Sequence, residues 1–231
     1  MSVCDFRSLN NLTLNDAKNS IKRYISLNGP WLHQFDTFFK TTRATATADE
    51  RMIKLLTVVR GSGWNMNRQG QCAHIIEAIK TGRISKEELN HFWTTVDALP
   101  NVDLRNLPHI DRMLLRQIVT SFQNIRRTLR VWHSSSDSLC FMTKVILMFN
   151  WGQSPAFDTR IRSKMKLRND MSNEDLVTAL VEIGTWIQGF ESQHGILLDK
   201  LATDEMRLVG RDSLSPLPLG RSFDMMLFSL S

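Results

Sequence analysis

The stretch TKVILMFNWGQSPAFDTRIRSKMKLR, residues 143–168, decides how this chain is read. Val145–Phe149 is an unbroken apolar run that belongs in a buried helix, and it is far too short to span a bilayer. Trp151-Gly152 ends that helix in a tight turn, and Pro155 places a loop after it. A new helix is expected to open just after Asp158. An aspartate there has an ordinary structural role as an N-cap. Its carboxylate accepts backbone N–H bonds and stabilises the helix by about 1 kcal/mol.

Outward from this segment the periodicity stays helical. Upstream, residues 110–131 carry an apolar stripe of Met113, Leu114, Ile118, Phe122, Ile125 and Leu129. A buried helix is expected at 139–150. Downstream, Ser172 with Asp175 caps a helix running through Leu176, Leu180, Ile183 and Ile187, and a short helix is expected at 221–230. In the N-terminal half, Thr13 with Asp16 precedes Leu14, Ala17, Ile21, Tyr24 and Ile25, and further helices are expected at 50–60 and 71–80. Ser85 with Glu88 precedes Leu89, Phe92, Trp93 and Val96. No alternating apolar–polar run bounded by hairpin turns occurs, so the chain is expected to be all-α. Residues 40–48, 100–108 and 212–220 read as irregular. The break at 100–108, which lies between two prolines, divides the chain into expected lobes of residues 1–105 and 106–231.

Composition bounds the function. The 231 residues are 42% apolar and 23% charged, the range of ordinary globular proteins. Lysine and arginine total 29 against 23 acidic residues, a formal charge of +6, consistent with a polyanionic partner. The three cysteines, Cys4, Cys72 and Cys140, form no CxxC pair, and the six histidines show no HxxxH spacing. No metal site and no cofactor is therefore expected. Buried free thiols, no signal peptide and no long apolar run imply a cytoplasmic protein that does not enter a membrane.

The segment Pro155-Ala156-Phe157-Asp158-Thr159-Arg160-Ile161-Arg162 resembles the signature P-x-D-T-H-[VI]-x-R of the helix-hairpin-helix, endonuclease III-like superfamily of DNA glycosylases. It keeps the proline, aspartate, threonine and branched apolar residue, and its Arg162 stands one position before the signature's final arginine. It has one extra residue between proline and aspartate, and arginine in place of histidine. Thr143-Lys144 stands 14 positions before Asp158, counted from the lysine, a spacing found in uncharacterised members. Arg221-Ser222-Phe223-Asp224-Met225-Met226-Leu227-Phe228 is similar to their Arg-x-x-Asp-x-x-Leu-aromatic ending. The family hairpin L-P-G-[VI]-G is missing, and Trp132–Asp137 occupies its place without a glycine.

The resemblance implies a two-lobed helical glycosylase-like fold with a cleft between the lobes. It implies that the protein flips a damaged or modified base from double-stranded DNA and hydrolyses its N-glycosidic bond, in repair or in defence against phage. Asp158 would be the catalytic carboxylate. Lys144 would be a nucleophile in a lyase-active enzyme, but Phe141 aligns with the usual lysine site, so a monofunctional monomer is expected. Lys144 otherwise reads as a snorkelling surface lysine.

Two basic clusters bracket the loop. Arg126, Arg127 and Arg130 lie before the serine turn Ser134-Ser135-Ser136, and Arg160, Arg162, Lys164, Lys166 and Arg168 follow Asp158. Arginines, Lys164 and serines of this kind suit DNA phosphates, or else a solvated helix face. Trp64, Asn65, Asn67 and Arg68, with Gln69, in the loop 61–71 offer a stacking ring and edge-reading groups for a flipped base, with Trp151 as a further wall. An ordinary interhelical loop with a packed tryptophan accounts for the same residues. A non-catalytic helical DNA-binding module, or an interaction protein with a chance motif, remain the competing readings.

Overall fold

The computed structural model describes residues 2–27, 47–61, 69–133, 139–149, 154–168, 170–210 and 217–230. Among the described residues there are ten α-helices and no strand. They are α1 (Leu14–Leu27), α2 (Ala48–Gly61), α3 (Gln69–Lys80), α4 (Lys86–Asp97), α5 (Arg112–His133), α6 (Leu139–Phe149), α7 (Thr159–Lys164), α8 (Asn173–His194), α9 (Leu198–Leu208) and α10 (Leu219–Ser229). The all-α expectation holds. No helix among the described residues is long and apolar enough to cross a membrane. Cys4 and Cys140 are buried.

Helix starts follow local chemistry. Thr13 N–H donates to Asp16 Oδ2 and Asp16 N–H donates to Thr13 Oγ1, both at 3.1 Å. Ser85 with Glu88 and Ser172 with Asp175 form the same reciprocal box at the starts of α4 and α8. Gly195 ends α8 at φ 64°, in the left-handed region that a glycine enters without steric cost.

α9 had no expectation from sequence. Leu197 stands at its N-cap position without a side-chain cap, so the usual start signal is missing. Glu191 of α8 takes over, accepting from Leu198 N–H at 2.8 Å. The same carboxylate receives Arg105 through Nε at 2.7 Å and Nη2 at 2.8 Å, and Nη2 also donates to Asp199 at 3.0 Å.

That network clamps the connector 100–108 onto α8. Leu104 and Leu107 are buried, and a single 3₁₀ turn forms at Leu107–His109. Gly184 of α8 meets this connector so closely that an added Cβ would lie 2.2 Å from the Leu104 carbonyl oxygen.

The chain termini pack together. α1 lies against both α9 and α10, and α10 also contacts α7. α2 packs on α3 and α4, while α5 contacts α3, α4, α6 and α8. The apolar faces merge into one continuous core.

Gly184→Ala should destabilise the protein by about 1–3 kcal/mol, because its methyl overlaps a backbone oxygen held by the connector. Equilibrium unfolding in urea measures this. A change within about 0.5 kcal/mol, the ordinary surface range, would show that the connector yields freely.

Candidate active site

The loop that carries Asp158 is fixed from two sides. Thr143 of α6 donates through Oγ1 to the Cys140 carbonyl at 3.1 Å, and its oxygen accepts from Phe157 N–H at 3.0 Å. This bond ties the loop to the helix 14 residues earlier. On the other side Gly220 of α10 packs against the loop, where an added Cβ would lie 2.6 Å from the Ser154 carbonyl oxygen. Ser154, Pro155, Ala156 and Phe157 are all buried.

Asp158 is half-buried at the mouth of this loop and is the N-cap of α7. Its Oδ1 accepts from Arg160 N–H at 2.9 Å and Ile161 N–H at 3.0 Å. Its other oxygen, Oδ2, accepts no hydrogen bond among the described residues.

Beneath Asp158 sits a buried charge cluster. Arg221 of α10 is fully buried, donates through Nη1 to Asp224 Oδ2 at 2.5 Å and through Nη2 to the Tyr24 hydroxyl at 2.8 Å. Its guanidinium also lies over the Tyr24 ring, 4.8 Å from the centroid. Asp224 is itself buried, and its Oδ1 has no hydrogen-bond partner among the described residues. Burial pushes its carboxyl up to about 7 against the pull of Arg221, with the Asp158 charge raising it further and Lys144 lowering it. Burial also pushes the Tyr24 phenol up to about 12. Asp158, Lys144, Asp224, Arg221 and Tyr24 therefore feel one another electrostatically, although they come from four separate elements.

Lys144 is not a snorkelling surface lysine: it is only 8% exposed, on a helix buried from residue 139 to 147. Among the expected DNA contacts, Arg127, Arg130 and Arg160 are exposed and Lys164 is half-buried. Two expectations are corrected. Arg126 is buried and donates through Nη1 to the Met171 carbonyl at 2.6 Å, so it braces the entry to α8 rather than facing a phosphate. Arg162 is buried as well, at 5% exposure, on the inner face of α7. Trp64, Asn65, Asn67, Arg68, Trp151 and the serines Ser134, Ser135 and Ser136 lie outside the described residues.

Sequence reasoning missed Tyr24, Arg221 and Asp224 as site residues. The available signal was an Arg–Asp pair three residues apart inside α10, which carries no other charge. Tyr24, on the apolar face of α1, reads as plain core. Comparison with family models, with curated proteins and with solved structures gives no match.

The raised Asp224 carboxyl has a consequence for stability. Between its ordinary value of 3.8 and about 7, the folded protein holds a proton that the unfolded chain has lost. That contribution is present in full below about pH 4 and is lost as the pH rises to about 7. Asp224→Asn removes the titration, so its melting temperature should gain on the parent protein between pH 4 and pH 7. Thermal melts across that range check it; a constant difference would mean that Asp224 is ionised throughout.

Proposed function

We propose that this chain is a two-lobed helical DNA glycosylase that flips a damaged or modified base out of double-stranded DNA and hydrolyses its N-glycosidic bond at Asp158. In this reading α2–α4 form one lobe; α1, which a division at residue 105 puts with them, packs on α9 and α10 and joins the C-terminal helices in the other, and the Asp158 loop faces the cleft. The observation that carries the reading is the division of labour in one carboxylate. Oδ1 is engaged by the cap of α7, and Oδ2 accepts no hydrogen bond among the described residues.

The chemistry needs such an oxygen. As the bond from C1′ to the base breaks, its electron pair leaves with the base and positive charge builds on the sugar. A fixed carboxylate stabilises that charge more than it stabilises the neutral ground state, because its orientation is set before reaction. Water then adds to C1′ to give an abasic sugar; the proton it loses passes through Oδ2 to solvent, and the departed base takes up a proton from solvent. The cap bonds, the Thr143 anchor and the close Gly220 contact all hold the group still.

Exposed Arg127, Arg130 and Arg160 supply positive charge for the DNA backbone, which suits the chain's net charge of +6. Lys144 contributes its field beneath the loop and not a nucleophile. Its burial on α6 and its charge coupling to Asp224 favour a structural cation.

The cap bonds also favour a second reading, a DNA-binding module in which Asp158 does nothing else. One isosteric change separates the two. Asparagine caps a helix about as well as aspartate, but it carries no charge. Asp158→Asn should keep the melting temperature and duplex affinity and lose base release by about 100-fold or more. The assay counts abasic sites formed in bacterial and phage DNA from varied sources. Equal counts for variant and parent would leave only the module. Borohydride should trap no protein–DNA adduct; an adduct lost in Lys144→Ala would make that lysine a nucleophile instead.

A further inference from the structure

A recess of about 450 Å³ opens between α1, the N-terminal turn before it and the end of α10. Its wall is polar for a surface hollow. Asn11, Asn19, Ser20 and Arg23 line one side, and Ser229 and Leu230 line the other. Ser229 is only 8% exposed, and its Oγ has no hydrogen-bond partner among the described residues. That oxygen is closed off from the recess itself, whose reachable donors are the exposed Asn11, Asn19 and Arg23.

The charge around the recess points to the sign of that ligand. Lys164 of α7 reaches the rim, where its Nζ donates to the Leu230 carbonyl. Its ammonium is pushed below the usual lysine value by burial and then by the charges of Arg160 and Arg23. Three cations from two helices are therefore crowded together. Among the described residues none of them is ion-paired to a carboxylate. The Arg160 guanidinium is held instead over the Phe228 ring, 4.4 Å from its centroid. The acid in the recess wall, Asp16, is engaged by the cap of α1, accepting from Thr13 N–H and from Thr13 Oγ1–H at 2.6 Å. Crowded like charges with hydrogen-bond donors beside them are the ingredients of an anion site.

We propose that this recess is a phosphate-binding site, with Arg23 and Lys164 holding the anion and Asn11 and Asn19 offering hydrogen bonds to its oxygens. The shared chemistry is a phosphate group, carried by a DNA strand or by a small phosphorylated molecule. The six residues of α7 set Lys164 about 9 Å along the helix from Asp158. That is two to three base steps at about 3.4 Å each, the right scale for a backbone phosphate flanking the nucleotide at Asp158. The DNA source thus rests on the glycosylase reading, whereas the phosphate site itself does not.

Two probes and one exposed position test it. Arg23 is exposed, so Arg23→Glu should fold, which circular dichroism verifies; Arg23→Gln serves as the milder variant. Inorganic phosphate is titrated by calorimetry, and a fluorescent 20-base-pair duplex by anisotropy at several salt concentrations. Arg23→Glu should weaken duplex binding about tenfold, with Arg23→Gln lowering the salt slope by about 1. Phosphate binding should weaken in parallel. Phosphate binding lost with duplex binding intact would keep the site and assign it to a small phosphorylated molecule. Both probes binding the parent and the folded variants equally would overturn the proposal. Neither probe requires base release, so this failure is separate from any failure of Asp158.

Discussion

The buried pair of Arg221 and Asp224 is the constraint from which the site follows. A guanidinium at zero exposure is tolerable only if its donors and its charge are met inside the protein. Asp224 accepts from Nη1 and the Tyr24 hydroxyl from Nη2, and the Tyr24 ring supplies a cation–π face. Because Tyr24 comes from α1 and Arg221 from α10, satisfying one cation joins the N-terminal and C-terminal helices. α10 then presents Gly220 to the Asp158 loop and Ser229 to the recess near the other end of the helix. Replacing Asp224 or Tyr24 by an apolar residue would strip a buried guanidinium of an acceptor, which is the expensive way to break the cluster.

The arrangement balances order against availability at Asp158. The loop residues ahead of it are buried and bonded to α6, so the carboxylate has little freedom to move. Yet only one of its oxygens is taken by the helix it caps. A group that is fixed but incompletely satisfied suits stabilisation of a charge that exists only during reaction. The surrounding field is mixed in sign, from the buried carboxyl of Asp224 and the cation of Lys144, both of which lie within electrostatic reach.

Much of the architecture was legible in the sequence. The boxes at Thr13, Ser85 and Ser172 mark helix starts, and α7 opens directly after Asp158 as its capping chemistry requires. α9 was not legible, because the carboxylate that receives its first N–H lies seven residues earlier on another helix. Arg126 was misread as a surface cation, although the pattern contained the answer. It sits four residues after Phe122 and three before Leu129, both buried, so the helical repeat turns it inward. Lys144 was open to the same inference, since the residues around it on α6 are apolar. The recess was invisible for a different reason. Its cations come from α1 and α7 and its far wall from the end of α10, which only the tertiary fold brings together.

The central claim is that the fixed carboxylate of Asp158 recognises a positively charged sugar, and it can be measured without knowing which base is removed. The measurement compares binding of two duplexes, one carrying a cationic pyrrolidine in place of the target sugar and one carrying a neutral tetrahydrofuran abasic sugar. Transition-state mimics bind roughly 100-fold or more tighter than ground-state ligands. The account predicts a preference of at least about that size for the pyrrolidine duplex at constant salt. Equal affinity for the two duplexes would contradict it.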